Sequence, residues 1–332
     1  MREDISIIIP LKDCFLEFDQ LLQSMFIWTM LPKEILIIES AKYPHILQQN
    51  FQNFCKKKNI SIKHIHEPKL FPGHARNIGI SRASCKNIAF LDVLTMPCKD
   101  WLKKNFELLS QDDAEGVWGS TLYIAPSHKA EIIRASTYGA KPVKTLPGSI
   151  FKKNTFKKVG FFIESVRAGE DGDIFHRIEM HKIKMAQPNE SISYLGLNKI
   201  SYIDIIKKWH RNYLYSAKLP HFRAHKDLYF YAVSSFLIVI AFNWNQIFSY
   251  DPSIGGWDTE SIFYLPNVTK ISIFLIISTY IIARGIIIPR RKGISFKFLF
   301  PLNFLKIVLF SCFLDLTKSF TFLKARFVNK IE

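Results

Sequence analysis

The chain has few cysteines, and the five that it has form no pattern for a disulfide framework or a metal site. Cys14, Cys55, Cys85, Cys98 and Cys312 are odd in number and include no CxxC pair. No histidine stands at a spacing typical of zinc ligands, so structural zinc is not expected. The composition favours a reducing compartment.

The sequence also lacks an export signal, an internal repeat and any low-complexity tract. Met1-Arg-Glu-Asp4 is followed by only five apolar-leaning residues before Pro10, which is too short for the apolar core of a signal peptide. We therefore expect residues 1–227 to lie in the cytoplasm.

Acidic side chains are scarce, most of all in the last third of the chain. The 332 residues carry 45 Lys and Arg against 28 Asp and Glu, which gives a net charge of +17. A basic surface of this size can face anionic lipid, a phosphorylated substrate or nucleic acid. No base-reading motif is present, so nucleic acid is not an expected partner.

Short β-branched runs alternate with amphipathic stretches over the first two hundred residues. Ile5–Ile9, Glu34–Ile38, Ile60–Ile65 and Asn87–Leu91 predict strands with helices between them. Runs of nearly continuous Ile and Leu are typical of strands buried on both faces. The alternation predicts a doubly wound α/β sheet, in which ligands bind at the carboxyl ends of the strands. The segments expected there are residues 10–13, 39–40, 67–73 and 92–97.

Long apolar runs follow residue 227. Residues 228–250 carry no formal charge and are long enough to cross a bilayer as a helix. An acidic loop and a second run, with Arg290-Arg-Lys292 after it, predict a membrane hairpin near residues 228–250 and 265–288, with both ends cytoplasmic. For residues 298–316 we expect an interfacial helix, with a third span as the alternative. The predicted parts are thus a domain at 1–206, a basic and aromatic juxtamembrane segment at 207–227, and a helical membrane region at 228–332.

Two motifs carry candidate chemistry. Gly73-xx-Arg76-Asn77-x-Gly79 opens a predicted helix, and Asp92 ends the next strand. A helix N-terminus beside an arginine suits a diphosphate, because backbone N–H groups and the guanidinium both meet negative charge. Farther on, Glu170-Asp-Gly-Asp173 begins another predicted helix, where its acids either stabilise the helix dipole or act as a base.

The order of these motifs resembles that of the family 2 glycosyltransferases of GT-A fold, over about residues 4–200. The residues that carry the resemblance are Ser6–Pro10, Glu34–Ser40, Gly73-xx-Arg76-Asn77-x-Gly79, Phe90-Leu-Asp92-xx-Thr95-x-Pro97-xx-Asp100-Trp101, Gly169-Glu-Asp171-x-Asp173 and Arg177. The fold that it implies is a Rossmann-like, doubly wound mixed sheet.

The resemblance also implies roles for single residues. Pro10, Asp13 and Glu39 would bind the nucleotide donor, and Arg76 and Asn77 would organise that pocket. The remaining implied roles belong to acids: Asp92 as first carboxylate of the DxD motif and ligand of Mg²⁺ or Mn²⁺, Asp171 as general base, and Glu170 and Asp173 as groups that orient the base or touch the acceptor.

The chain departs from the family pattern at two places. Leu94 stands at the second acid of the DxD motif, and a leucine cannot ligate a hard cation. A metal held by Asp92 and other groups, a diphosphate neutralised by basic side chains, and an inactive relative are the alternatives. Trp209-His210-Arg211 lacks the QxxRW pattern of the processive synthases, so we interpret it as an interfacial anchor; the alternative is that His210 or Arg211 reaches the diphosphate.

The sequence therefore predicts an inverting glycosyltransferase at the cytoplasmic face of a membrane. The expected partners are a nucleoside-diphosphate-sugar, membrane lipid and a lipid-linked or cell-surface saccharide acceptor. The abundance of Lys, Ile and Phe favours a bacterial source. The alternative function is a catalytically silent, glycosyltransferase-like scaffold subunit.

Overall fold

The structure is a computed structural model that describes residues 2–111, 113–217, 219 and 244–327. Most of the span predicted at 228–250 lies outside the described residues, as do residues 218 and 220–227 of the predicted juxtamembrane segment.

Within this part of the chain, nine strands form one mixed sheet in the order β3-β2-β1-β4-β7-β6-β9-β5, with β8 added beside β6. The strands are β1 (Arg2–Leu11), β2 (Leu31–Glu39), β3 (Ser61–His66), β4 (Asn87–Phe90), β5 (Thr95–Met96), β6 (Gly116–Tyr123), β7 (Val143–Lys152), β8 (Met185–Ala186) and β9 (Ile192–Tyr194). β1 pairs in parallel with β2 and β4, and β2 with β3. β7 runs antiparallel to both β4 and β6. The carboxyl ends of β1, β2 and β4 therefore meet at one edge.

Helices cover both faces of this sheet. They are α1 (Phe15–Ser24), α2 (Gln49–Lys57), α3 (Pro72–Arg82), α4 (Trp101–Gln111), α5 (His128–Ser136), α6 (Thr155–Val159), α7 (Glu170–Met180) and α8 (Tyr202–Ser216). Ile7 and Ile9 of β1 pack in one buried cluster with α1 and α4, whereas Ile8 packs in a second cluster with α3 and α7. Successive side chains of a strand point to opposite faces, so the prediction of a strand buried on both faces is confirmed.

Residues 125–147 give no clear pattern in the sequence, and the structure places α5 there. The hydroxyl of Ser127 caps this helix by accepting a hydrogen bond from the amide of Ala130 at 3.3 Å. Ile132 is buried against Ile307 from the C-terminal region. The partner of this apolar face comes from far along the chain, which is why local sequence does not reveal it.

The C-terminal region is helical and packs on the sheet domain. Its elements are a two-stranded ladder of β10 (Tyr250–Asp251) and β11 (Gly256–Trp257), and the helices α9 (Leu265–Ile282), α10 (Ile288–Arg291), α11 (Phe296–Leu299) and α12 (Asn303–Phe327). A π-helical turn at Ala283–Ile287 joins α9 to α10. The amides of Ala140 and Lys141 donate to the carbonyl of Lys292 at 2.8 and 3.0 Å, which fastens this region to the domain.

The predicted membrane crossing at 265–288 is not confirmed. Among the described helices, none is both long and apolar enough to span a bilayer. In the π-helical turn, Arg284 pairs with Asp315 of α12, which also accepts a hydrogen bond of 2.9 Å from the hydroxyl of Tyr280. This polar contact lies toward the carboxyl-terminal end of the run that the sequence predicts as a span.

Helix α8 crosses the predicted boundary between residues 206 and 207. Its capping box is complete: the Ser201 hydroxyl accepts from the amide of Asp204 at 3.1 Å, and the Asp204 carboxylate accepts from the amide of Ser201 at 3.2 Å. The helix therefore begins in the sheet domain and carries Lys208 and Arg211 along its length. The basic residues at 208 and 211, read from the sequence as juxtamembrane, belong to an element that packs on this domain.

Candidate active site

A cavity of about 370 Å³ opens at the carboxyl ends of β1 and β4. Pro10 lines it from the carboxyl end of β1, Asp13 from the loop after β1, Arg76 from α3, and Asp92 from the loop after β4. These four predicted donor-site residues are therefore brought together, as the doubly wound topology requires. A larger, more open cavity of about 620 Å³ lies beside α2 and contains none of them.

The N-terminal part of α3 carries Arg76 to this edge. Pro72 occupies the first turn of the helix, where its missing N–H costs nothing. A Cβ on Gly79 would lie 2.5 Å from Cγ2 of Ile8, so α3 can rest directly on β1 because residue 79 is glycine. The close approach places the Arg76 side chain between the ends of β4 and α7.

Arg76 holds three carboxylates. Its Nη1 donates to Glu170 Oε1 at 2.9 Å and to Asp171 Oδ1 at 3.1 Å, and its Nη2 donates to Asp92 Oδ1 at 3.2 Å. Burial alone would lower the pKa of this guanidinium, but the charges of Asp171, Asp92 and Glu170 outweigh it and raise the pKa. The side chain is therefore a fixed positive charge at the centre of the acidic cluster.

Asp171 of this cluster has a strongly raised pKa. Burial, together with the charges of Glu170 and Asp92, raises its pKa to about 8, although Arg76 opposes the shift. Its side chain keeps 38% of its surface exposed, so a ligand can reach it. A pKa raised to about 8 lies near the pH range in which a carboxylate acts as a general base.

Glu39 is not placed at the cavity. Its side chain is fully buried, and its carboxylate accepts from the amide of His45 at 2.8 and 3.0 Å and lies 2.7 Å from Nε2 of His64. These contacts use the carboxylate to fasten the loop after β2 to β3. A role in donor binding for Glu39 stays a prediction.

Asn77 and Asp173 also lie behind the cavity rather than in its wall. Nδ2 of the Asn77 side chain donates to the backbone carbonyl of Phe162 at 2.9 Å. Oδ1 of the same side chain accepts a hydrogen bond from the backbone N–H of Phe162 at 2.9 Å. Asp173 accepts from Nε of Arg177 at 2.8 Å, one turn along α7. Asn77 therefore positions the segment that leads into α7, and Asp173 stabilises that helix.

The sequence predicts no site role for Arg167 and Lys208, two basic side chains of the cavity wall, and offers a third, Arg211, only as an alternative group that reaches the diphosphate. Arg167 precedes α7, and Lys208 and Arg211 lie one turn apart on α8. The i, i+3 spacing places 208 and 211 on one face of a helix, and this is the signal that could have found them. The sequence instead predicts that both positions belong to the basic and aromatic juxtamembrane segment at 207–227.

The acids of the site do not form an open cation site. Asp92 follows β4, but Leu94 lines the cavity at the position of the second DxD acid. The other two carboxylates of the cluster share the Arg76 guanidinium with Asp92. In the described ranges there is no group of three His, Cys, Asp or Glu side chains placed to share a metal ion. The donor set for a hard cation is therefore incomplete.

Comparison with known proteins decides the family. Residues 6–169 match the model of Glycosyl transferase family 2. These residues form a family 2 glycosyltransferase domain. The match ends just before Glu170. Asp171 and the basic residues of α8 therefore lie in the segments that follow the matched domain.

Sequence relatives and solved structures are also similar to this chain. An uncharacterised glycosyltransferase of Rickettsia conorii is 29% identical over 177 residues, which cover 50% of this chain and 28% of the relative. The match thus spans little more than a quarter of that relative's length. A mannosyltransferase from Pyrobaculum calidifontis, solved with GDP-Man and Mn²⁺, superposes with a TM-score of 0.51 at 11% identity and covers 97% of this chain and 88% of its own.

That superposition confirms the predicted GT-A-like mixed α/β fold of the glycosyltransferase domain. TarS of S. aureus, solved with UDP-GlcNAc, is also similar, with a TM-score of 0.42 and 15% identity over 67% of this chain and 69% of its own.

Proposed function

We propose that the chain is an inverting glycosyltransferase that moves a sugar from a nucleoside-diphosphate-sugar to an acceptor hydroxyl. The observation that carries this proposal is the partly exposed Asp171 carboxylate, held by Arg76 beside a cavity at the strand ends of a family 2 domain. The GDP-Man in the mannosyltransferase of similar fold supports the donor class.

Asp171 acts as the general base of this reaction. Its carboxylate takes the proton of the acceptor hydroxyl while the acceptor oxygen forms a bond to the anomeric carbon of the donor. The bond from that carbon to the diphosphate breaks, and the nucleoside diphosphate leaves with the electron pair. One base on the acceptor side is sufficient for such an inverting displacement.

In a complete DxD site, a divalent cation neutralises the diphosphate. The mannosyltransferase of similar fold was solved with Mn²⁺, and the sequence predicts Mg²⁺ or Mn²⁺ at Asp92. In this chain that prediction rests on the Asp92 carboxylate alone, and the proposed transfer reaction assigns no role to a metal ion.

Replacing the base tests the proposal directly. In Asp171→Asn, sugar transfer should fall by about 10²- to 10⁴-fold, the usual contribution of a general base, while donor binding persists. Glu179→Gln on the exposed side of the same helix is the matched control and should transfer at the wild-type rate. Full activity in the Asp171→Asn protein would remove Asp171 as the base.

We also propose that the protein works at a membrane, on a lipid-linked or cell-surface saccharide acceptor. Large apolar side chains are exposed on α11, on α12 and between them: Phe296, Leu302, Leu309, Phe313, Leu316 and Phe320. Lys306 and Lys318 are exposed on α12 as well. Apolar and basic side chains together on one helix are typical of interfacial attachment to anionic lipid.

Vesicle binding tests this location. The full chain should sediment with vesicles that contain phosphatidylglycerol, and Leu309→Glu with Phe313→Glu should reduce the bound fraction. Ile46→Glu, at an exposed apolar residue near α2, is the control. Equal binding by the α12 variant would contradict the proposed membrane face, and would leave the transfer reaction unaffected.

The second candidate function is a catalytically silent scaffold subunit, which Leu94 favours. It predicts donor binding without hydrolysis or transfer at any cation concentration. Turnover of any nucleotide sugar by the purified wild-type protein, measured with and without EDTA, would exclude it.

A further inference from the structure

Three cations line the wall of the cavity without a carboxylate partner. They are Arg167, which precedes α7, and Lys208 and Arg211 on α8. Among the described residues, no Asp or Glu side chain forms an ion pair with any of them. Asp92, Glu170 and Asp171 are paired with Arg76, and Asp173 with Arg177. Asp13 also lines the cavity, and the three cations outnumber it, so this wall carries an excess of positive charge.

The two arginines repel one another. Burial and the charge of Arg167 both lower the pKa of Arg211, which shows that the guanidinium groups lie close enough to interact. Like charges held together without a counterion cost free energy in the unliganded protein. An anion that binds between them removes that cost, so the pair is arranged to bind one.

Aromatic side chains position the third cation. Nζ of Lys208 donates to the hydroxyl of Tyr138 at 3.2 Å and lies 5.9 Å from the ring centre of Tyr194. The Tyr138 ring stacks on that of Tyr123 at 3.8 Å. The ammonium is thus held by neutral groups that leave its charge uncompensated.

We propose that Arg167, Lys208 and Arg211 bind the diphosphate of the nucleotide donor and supply the positive charge that a divalent cation supplies in a complete DxD site. This inference rests on the proposed function and deepens it. Leu94 replaces the second acid of the DxD motif, and the first acid, Asp92, is paired with Arg76. As the bond to the anomeric carbon breaks, the electron pair remains on the departing phosphate oxygen, and the guanidinium groups stabilise that charge with paired hydrogen bonds.

Nucleotide binding measured by calorimetry tests the inference. The full chain is titrated with UDP, GDP, ADP, CDP and dTDP, each in EDTA and again in Mn²⁺. We expect at least one diphosphate to bind in EDTA with an affinity within about threefold of that in Mn²⁺. Arg211→Gln and Lys208→Gln should each weaken it by about tenfold, as expected for a lost charged hydrogen bond.

The matched control is Lys207→Gln, next to Lys208 in the sequence but outside the cavity wall, which should bind like the wild type. Arg211→Lys keeps the charge and should recover most of the affinity. The parent nucleoside should bind wild type and Arg211→Gln equally, because it lacks the diphosphate. A merely structural role of Arg211 would weaken both ligands together.

Two results would overturn the inference. Binding that requires Mn²⁺ and is unchanged in Arg211→Gln would show that a metal holds the diphosphate, and the proposed glycosyl transfer would still stand. Absence of binding by every nucleotide to the wild-type protein, with or without Mn²⁺, would overturn the inference and the proposed function together.

Discussion

Nη1 of Arg76 donates to Oδ1 of Asp171 at 3.1 Å, across 95 residues of sequence. The bond joins α3, which lies on the parallel half of the sheet, to the first turn of α7. It fixes the proposed base at the strand ends and keeps it next to a permanent positive charge. Stability, titration and catalysis of the site are therefore coupled through one guanidinium.

Removing that guanidinium should destabilise the fold. In Arg76→Met, the carboxylates of Glu170, Asp171 and Asp92 lose their shared partner, and we expect the free energy of unfolding to fall by about 3–5 kcal/mol, as for other broken buried ion pairs. Urea denaturation measures the change. Arg82→Met, at the exposed end of the same helix, should alter it little. Unchanged stability in Arg76→Met would show that the ion pairs of Arg76 contribute nothing to the free energy of unfolding.

The raised pKa of Asp171 predicts how transfer depends on pH. The base must lose its proton before it can accept one, so kcat/KM should rise between about pH 7 and pH 9 and level off above the pKa of about 8. A profile of initial rates at constant ionic strength measures this. A rate that is flat from pH 6 to pH 9 would show that Asp171 does not titrate in this range or is not the base.

Glu34 links stability to acid pH at the other end of the sheet. Burial would raise its pKa, but the ion pair with Lys63 at 2.5 Å and hydrogen bonds from Ser6 and Ser84 outweigh burial and lower it. A lowered pKa stabilises the fold above the pKa of the unfolded chain, and this stabilisation is lost as the pH falls through the folded value.

The variant Glu34→Gln should therefore lose about 1.5–3 kcal/mol of stability at pH 7, the range for hydrogen bonds to a charged group. The difference from wild type should shrink as the pH falls below about 4, where the unfolded carboxyl takes up its proton. Thermal unfolding at pH 3 to 7 measures both effects, and Glu107→Gln on the exposed side of α4 is the control. A stability difference between the two proteins that grows as the pH falls would contradict the lowered pKa of Glu34.

Restoring the missing acid should create a cation site. In Leu94→Asp, a second carboxylate joins Asp92 at the cavity, and Mn²⁺ affinity should increase by at least about tenfold because affinity follows the number of charged oxygen ligands. Calorimetric titration with MnCl₂ measures it. Leu94→Asn, of nearly equal size and without the charge, is the comparison. Equal Mn²⁺ affinity in all three proteins would show that residue 94 does not control metal binding.

The candidate site was predictable where its residues follow strands. Pro10 lies at the carboxyl end of β1, and Asp13 and Asp92 follow β1 and β4, so the topology of a parallel sheet is enough to bring them together. Glu39 also follows a strand, but its carboxylate is used by His45 and His64. Which way a side chain turns after the end of its strand depends on neighbours that local sequence does not reveal.

The sequence by itself determined the alternation of strands and helices, the order of the family motifs and the loss of the second DxD acid, because each is written in residues that stand close together in the chain. Only the tertiary structure decided where part of the abundant positive charge lies and which acids it pairs with. It placed Lys208 and Arg211 in the cavity wall beside Arg167 and assigned the acids to Arg76. The balance of charge in a site is a sum over groups from distant segments, and only folding brings those groups within interaction distance.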